Sequence, residues 1–147
     1  MLFRSPRDLD GLRDTARDTV KPDEVDATGQ LALSAAVQRF SASNAHVLAA
    51  FGVTPAYMRE QRRGFSTFEF QLAMGGEVRP GDPLVVRGGL VHVGKSSMRI
   101  LHVMTDARTG DEVASLHQSG VHFDQDRRRP IPLPDDLRAR AVTVYGL

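Results

Sequence analysis

Between residues 31 and 51 the chain reads LALSAAVQRFSASNAHVLAAF, without a glycine or proline. Val37, Phe40, Asn44 and Leu48 recur at helical spacing, and Ala35, Ala36, Ala42, Ala45, Ala49 and Ala50 cover much of the remaining surface. Only Gln38, Arg39 and His46 are strongly polar. A helix this apolar must be wrapped by other structure. Gly52 ends it as a C-cap and Pro55 follows within three residues. Residues 54–63 predict a short second helix with Arg59, Arg62 and Arg63 exposed.

After Gly64 the period changes to two. Phe68, Phe70, Leu72 and Met74 alternate with Glu69, Gln71 and Ala73, which predicts a strand with one buried face. A turn at 78–82 leads to a second strand over 84–93, bent or bulged at Gly88-Gly89. A third strand covers 97–105, a glycine-containing hairpin loop 106–110, and a fourth strand 112–123. Thr19-Val20-Lys21-Pro22 reads as a short strand stopped by its proline, and the proline-rich 127–134 cannot form a central strand. Residues 1–17 mix Arg with Asp and read as an N-terminal extension outside the core, with Leu9 and Leu12 on a short surface helix; the main domain is 18–147. The order is α+β. One long helix suffices only if a strongly curved antiparallel sheet wraps it, and the exposed sheet backs and edges then favour pairing with a second copy.

Composition narrows the function classes. The 147 residues match one domain with its own core. A net charge of +1 argues against a broad nucleic-acid surface, and 41% hydrophobic with 25% charged residues fits a folded soluble domain. No apolar run approaches a membrane span and the start lacks a signal-peptide pattern, so a cytoplasmic location is expected. The absence of cysteine excludes disulfides, thiolate metal sites and a cysteine nucleophile.

The best site candidate is Asp26, in an acidic loop closed by Gly29 just ahead of the long helix. A carboxylate there faces the positive end of a helix dipole and unpaired backbone N–H groups. The competing reading is that Asp26 caps the helix or a turn.

Asp26-Ala27-Thr28-Gly29 ahead of the apolar helix, Pro80-Gly81-Asp82 before the second strand, Gly94-Lys95-Ser96-Ser97 opening the third, and Arg129-Pro130-Ile131-Pro132 at the end follow one another in a set order. In that order the chain resembles hotdog-fold acyl-CoA thioesterases of the 4-hydroxybenzoyl-CoA thioesterase type, over roughly residues 19–138. The resemblance implies a hotdog fold, a dimer or tetramer with sites between subunits, and hydrolysis of an acyl-CoA to acid and CoA. The CoA is part of the substrate, and no separate cofactor or metal is expected. Asp26 matches the second Asp of the family's D-x-D-x-x-G string, and Glu24 stands at the first. Asp26 would attack the thioester or deprotonate a water, and the backbone N–H of Leu33, with Ser34 close by, would stabilise the oxyanion. Gln30, Ser34 and Asn44 are the candidate substrate contacts. Lys95, Ser96, Ser97 and Arg62 are the candidate CoA contacts, with Arg63 and 127–129 as further basic groups. Ala36 replaces the family's tyrosine one turn into the helix, which predicts a roomier, more apolar pocket for an aliphatic or bulky acyl group.

Other readings are weaker. The five histidines lack metal-binding spacing. His102 shares a strand face with Met98, Ile100 and Met104, as a hydrogen-bonded core or interface histidine. Asn44, polar on the apolar helix face, is either a satisfied structural amide or a substrate-facing group. No G-x-S-x-G, phosphate loop or dinucleotide fingerprint occurs. A hydratase would need a histidine near Asp26, and none lies in its loop. The alternatives left open are a non-catalytic acyl-thioester binding module and action on acyl-carrier-protein thioesters through the basic 127–129 run.

Overall fold

A computed structural model describes residues 6–147. The elements run α1 (Pro6–Asp10), β1 (Arg13–Thr19), a 3-10 turn (Pro22–Glu24), α2 (Leu33–Ala49), α3 (Pro55–Gln61), β2 (Arg63–Met74), β3 (Pro83–Val93), β4 (Ser97–Asp106), β5 (Glu112–Asp124), β6 (Arg129–Pro130) and α4 (Asp135–Tyr145). All strand pairs are antiparallel, in the order β1-β3-β4-β5-β2, with β6 on the end of β5. The two free edges are therefore β1 and β2.

Helix α2 forms because its alanines favour helix and pack closely. It starts at Leu33, two residues later than the periodicity suggests, because Leu31 bridges Val25 across a small hairpin. Ala35, Ala36 and Phe40 pack at its first half on Leu31, Val86 and Met104. Val47 and Leu48 pack at its second half on Phe51, Ile100 and the α4 residues Leu137 and Ala141. Between these two clusters a layer of polar side chains crosses the core. Gly88 of β3 makes that layer possible: a Cβ there would lie 2.8 Å from Ser43 Oγ and 2.9 Å from His102 Nδ1. The expected bulge at Gly88-Gly89 is instead one residue pair further, between Leu90 and His92.

Three other expectations are corrected. Residues 13–17 are not outside the fold: they pair with β3 as the edge strand, so β1 precedes the stretch 19–22. Leu12 is buried with Leu101 and Val103 against the sheet's other face. Within one chain Phe68 and Phe70 are 67% and 58% exposed, so β2 has no buried face of its own along this part. Helix α4, which carries little apolar periodicity, covers the far end of α2 through Leu137, Ala141 and Tyr145. The curled sheet around one long helix is the hotdog fold.

Candidate active site

Val25 and Leu31 pair across a hairpin whose tip carries Asp26, with Asp26 N–H donating to Gln30 O and Gly29 N–H to Asp26 O. Gly29 takes φ +82, the conformation that closes the tip. Asp26 Oδ1 accepts from Thr28 Oγ1 (2.6 Å), Thr28 N (2.8 Å) and Gln30 N (3.0 Å). These bonds, led by the Thr28 hydroxyl, hold its carboxyl below the usual range. Oδ2 makes no bond. Asp26 is exposed in the single chain. Its bonds all lie within its own turn, as the capping reading expects, and they leave one carboxylate oxygen pointing away.

Glu24, at the neighbouring acidic position, has a different task. Arg39 reaches from α2 with Nη1 and Nη2 to the two Glu24 oxygens (2.8 and 2.7 Å) and with Nε to Asp18 (3.1 and 3.0 Å). Arg39 is 8% exposed and also donates to Ala35 O and Thr19 O. The Arg39 guanidinium, foremost, brings the Glu24 carboxyl down to about 2. The clamp ties the Asp26 hairpin to both α2 and β1. A lone arginine inside an otherwise apolar helix was the available sequence signal for it.

The hairpin leads directly into the α2 N-terminus. Its N-cap is Ala32, which provides no side-chain bond. The first N–H groups to find partners are those of Ala35 and Ala36, both on Ala32 O. Among the described residues, the backbone N–H groups of Leu33 and Ser34 have no partner at the positive helix end. Leu33 and Ser34 are exposed, as is Gln30, whose backbone is spent on Asp26.

The candidate CoA contacts lie elsewhere. Lys95, exposed, and Ser96 and Ser97, half-buried, turn β3 into β4. Lys95 O accepts from Leu133 N and Arg138 Nη2, which pins this turn to the segment entering α4. Leu133 packs with Val47 and Phe51 at the C-terminal end of α2, while Leu31 packs with Ala35 at its N-terminal end. One chain thus separates Lys95 from Asp26 by the length of α2, about 24 Å for 17 residues. Arg62 lies at the Lys95 end, where α3 joins β2, and pairs with Asp126 at 3.0 Å with both side chains exposed.

A cavity of about 180 Å³ opens between α2 and β2. Val37, Phe70 and Leu116 supply apolar wall; Asn44, Thr67 and Gln118 supply polar atoms, and no lining side chain is charged. Asn44 Oδ1 is buried without a partner, so Asn44 is not a satisfied structural amide. Behind Gln118 runs the polar layer. Gln118 Nε2 donates to Thr67 Oγ1 (2.7 Å), Gln118 Oε1 meets His102 Nε2 (3.2 Å), and His102 Nδ1 meets Ser43 Oγ (2.8 Å). Ser43 Oγ in turn meets Thr15 Oγ1 (2.7 Å). Burial brings His102 down to about 4, so the ring is neutral at pH 7. Gln118 and Thr67 were not legible as a site, because they meet Asn44 only through the fold. A second buried histidine, His122, joins Tyr57 Oη (2.8 Å) and Ile131 O (3.2 Å), satisfied on both nitrogens.

Among the described residues, no three His, Cys, Asp or Glu side chains gather in a way that holds a metal ion. Nor is any helix among them long and apolar enough to cross a membrane.

Three solved structures illustrate the likeness of fold. A Staphylococcus aureus protein in complex with CoA superposes with a TM-score of 0.82 at 14% identity, over 92% of this chain and 85% of that one. A thioesterase from Thermus thermophilus complexed with coenzyme A and Zn gives 0.76 at 21% identity, over 93% and 97%. A 1,4-dihydroxy-2-naphthoyl-CoA thioesterase from Synechocystis gives 0.73 at 12%, over 86% and 93%. No curated protein matches the sequence. The family model of the thioesterase-like superfamily matches residues 20–141, which takes in the Asp26 hairpin, α2 and every strand from β2 to β6. The chain belongs to the thioesterase-like superfamily.

Proposed function

We propose that this protein hydrolyses acyl-CoA thioesters, with Asp26 as the acting carboxylate and the α2 N-terminus as the oxyanion site. The observation that carries the reading is an ionised Asp26 with Oδ2 free, on a hairpin that feeds an uncapped helix whose Leu33 and Ser34 N–H groups are unpaired. Family membership and the CoA-bound structural neighbours support it.

In the direct route Asp26 Oδ2 adds to the thioester carbonyl, and the negative charge moves to the carbonyl oxygen facing the Leu33 and Ser34 N–H groups. Collapse breaks the C–S bond and releases CoA as thiolate, leaving a mixed anhydride. Water then cleaves the anhydride to free acid and restores Asp26. In the alternative route Asp26 takes the proton of a water that attacks instead. The lowered pKa makes Asp26 a weak base but a fully ionised group at neutral pH, which favours direct attack.

The site is completed by a second copy in this reading. The free β2 edge and exposed Phe68 and Phe70 suit antiparallel pairing with the same edge of a partner. A two-fold through that edge reverses the partner's direction, so the Lys95-Ser96-Ser97 turn and Arg62 of one copy approach the Asp26 end of the other. That would resolve the separation of the two groups within one chain.

The test is thiol release from acyl-CoAs of graded length by wild type, Asp26→Asn and Asp26→Ala. Loss of the acting carboxylate should lower kcat about 10²- to 10⁴-fold in both variants with the melting temperature preserved. Acyl-CoA binding without turnover by the wild type, or full rate in the variants, transfers the site to the non-catalytic binding reading.

A further inference from the structure

The α2–β2 cavity has a feature that the proposed hydrolysis does not need. Its lining combines apolar Val37, Phe40, Phe70 and Leu116 with polar Ser41, Asn44, Thr67 and Gln118, the last three termed its floor, and none of these side chains is charged. Leu33 and Val37, 60% and 40% exposed, lie one turn apart along α2 and make an apolar strip from the helix N-terminus towards the cavity. Asn44 lies eleven residues beyond Leu33, about 16 Å along the axis. An acyl group held by its carbonyl at the helix start and laid along this strip reaches the floor with its far end.

From this we infer that the protein selects acyl groups whose far end carries a hydroxyl, and that Asn44, Gln118 and Thr67 determine this specificity. The inference rests on the thioesterase reading for the position of the carbonyl. Two observations carry it. Asn44 Oδ1 is a buried acceptor with no donor among the described residues, and such a group is costly unless a ligand satisfies it. A hydroxyl supplies that donor; an unsubstituted methyl does not. A carboxylate is disfavoured, because no cationic side chain lines the cavity to compensate its burial.

The polar layer behind the floor adds the second half of the recognition. Thr15 Oγ1 has one proton, and both Val86 O (3.0 Å) and Ser43 Oγ are within its reach. If Thr15 donates to Val86, Ser43 donates to Thr15 and accepts from His102 Nδ1–H; Gln118 then presents its amide nitrogen to Nε2 and its oxygen to Thr67. If Thr15 donates to Ser43, every bond runs the other way and Gln118 Nε2 donates to Thr67 Oγ1. The neutral His102 ring accommodates both, as its two tautomers. The chain can therefore turn Thr67 into donor or acceptor, and a hydroxyl that donates to Asn44 is matched in the state where Gln118 Nε2 donates to Thr67, because the Thr67 proton is then free to reach it.

The deciding experiment is calorimetric binding of non-hydrolysable CoA thioethers, hexyl to dodecyl, each paired with its ω-hydroxy counterpart, to wild type and Asn44→Leu. At the length that reaches the floor, wild type should bind the ω-hydroxy member about tenfold more tightly. In Asn44→Leu the preference should vanish or reverse while the melting temperature is kept, since Asn44 Oδ1 bonds nothing in the fold. Equal binding of the two members by wild type at every length, no binding of any thioether, or an unchanged preference in Asn44→Leu overturns the inference. Turnover of the matching thioesters, run in parallel, judges the thioesterase reading separately: Asp26-dependent hydrolysis with no ω-hydroxy preference leaves that reading standing and removes only this one.

Discussion

Glu24 offers the sharpest test of how the hairpin bearing Asp26 is held. Glu24→Gln keeps the shape of the side chain and removes its charge, so Arg39 loses its bidentate partner and retains Asp18, Ala35 O and Thr19 O. The Glu24 carboxyl moves from its ordinary 4.5 to about 2 on folding. That difference corresponds to about 3.4 kcal/mol at 1.36 kcal/mol per pKa unit. Glu24 is 13% exposed, but Asp18 beside it is 44% exposed, so solvent screening reduces the expected loss to about 2 kcal/mol. For a chain of this size that lowers the melting temperature by roughly 4–8 °C at pH 7. The sign with pH is fixed by linkage: a carboxyl lowered on folding stabilises above its unfolded pKa and loses this as pH falls towards its folded pKa. The gap between wild type and Glu24→Gln should therefore be full above about pH 5.5, less than half as large at pH 3, and gone near pH 2. Urea unfolding of both proteins from pH 7 to pH 3 measures it. A gap that stays constant over this range, or no gap at pH 7, refutes the clamp.

Three further perturbations address the core layer and the free edge. His102→Met leaves Ser43 Oγ and Gln118 Oε1 without their partner, at about 1–3 kcal/mol each at pH 7. Because wild-type His102 titrates near 4 when folded and near 6.5 when unfolded, wild-type stability falls by up to about 3 kcal/mol as pH drops between those values. The variant should lack that slope, and denaturation at pH 7, 5.5 and 4 would expose its persistence. Gly88→Ala pushes a methyl into Ser43, His102 and Val47 and should destabilise by about 1–3 kcal/mol; an unchanged melting temperature would show that α2 can draw back from the sheet. Replacing Phe68 and Phe70 together by Ser should weaken self-association by about a thousandfold or more, read as mass by sedimentation, whereas an unchanged mass places the contact on another surface.

The long helix and the strands β2 to β5 were legible because their apolar residues follow a helical spacing along α2 and fall, along the strands, in alternating or continuous runs bounded by turn residues. His102 was legible for the same reason, since Met98, Ile100 and Met104 mark its face. Three features were not, each for its own physical reason. Arg39 stood out as polar in the apolar helix but its partners did not, because a period reports which face is apolar and not which distant carboxylates, here Asp18 and Glu24, will neutralise a charge on it. Helix α4 escaped because only Leu137, Ala141 and Tyr145 are buried in eleven residues, too few to stand out from its polar surface. Phe68 and Phe70 misled in the opposite direction. Alternation predicts that a strand face will be dry and does not specify which surface dries it. At an interior strand the chain's own core does so, but β2 is an edge, and the same alternation there is equally well satisfied by a partner. The same ambiguity governs Asn44. Its position on the apolar helix face made it polar and inward, but only the fold brings Thr67 and Gln118 beside it and leaves its oxygen without a donor. A buried acceptor left without a donor among the described residues is a feature that no local period can announce, which is why the sequence left the role of Asn44 open.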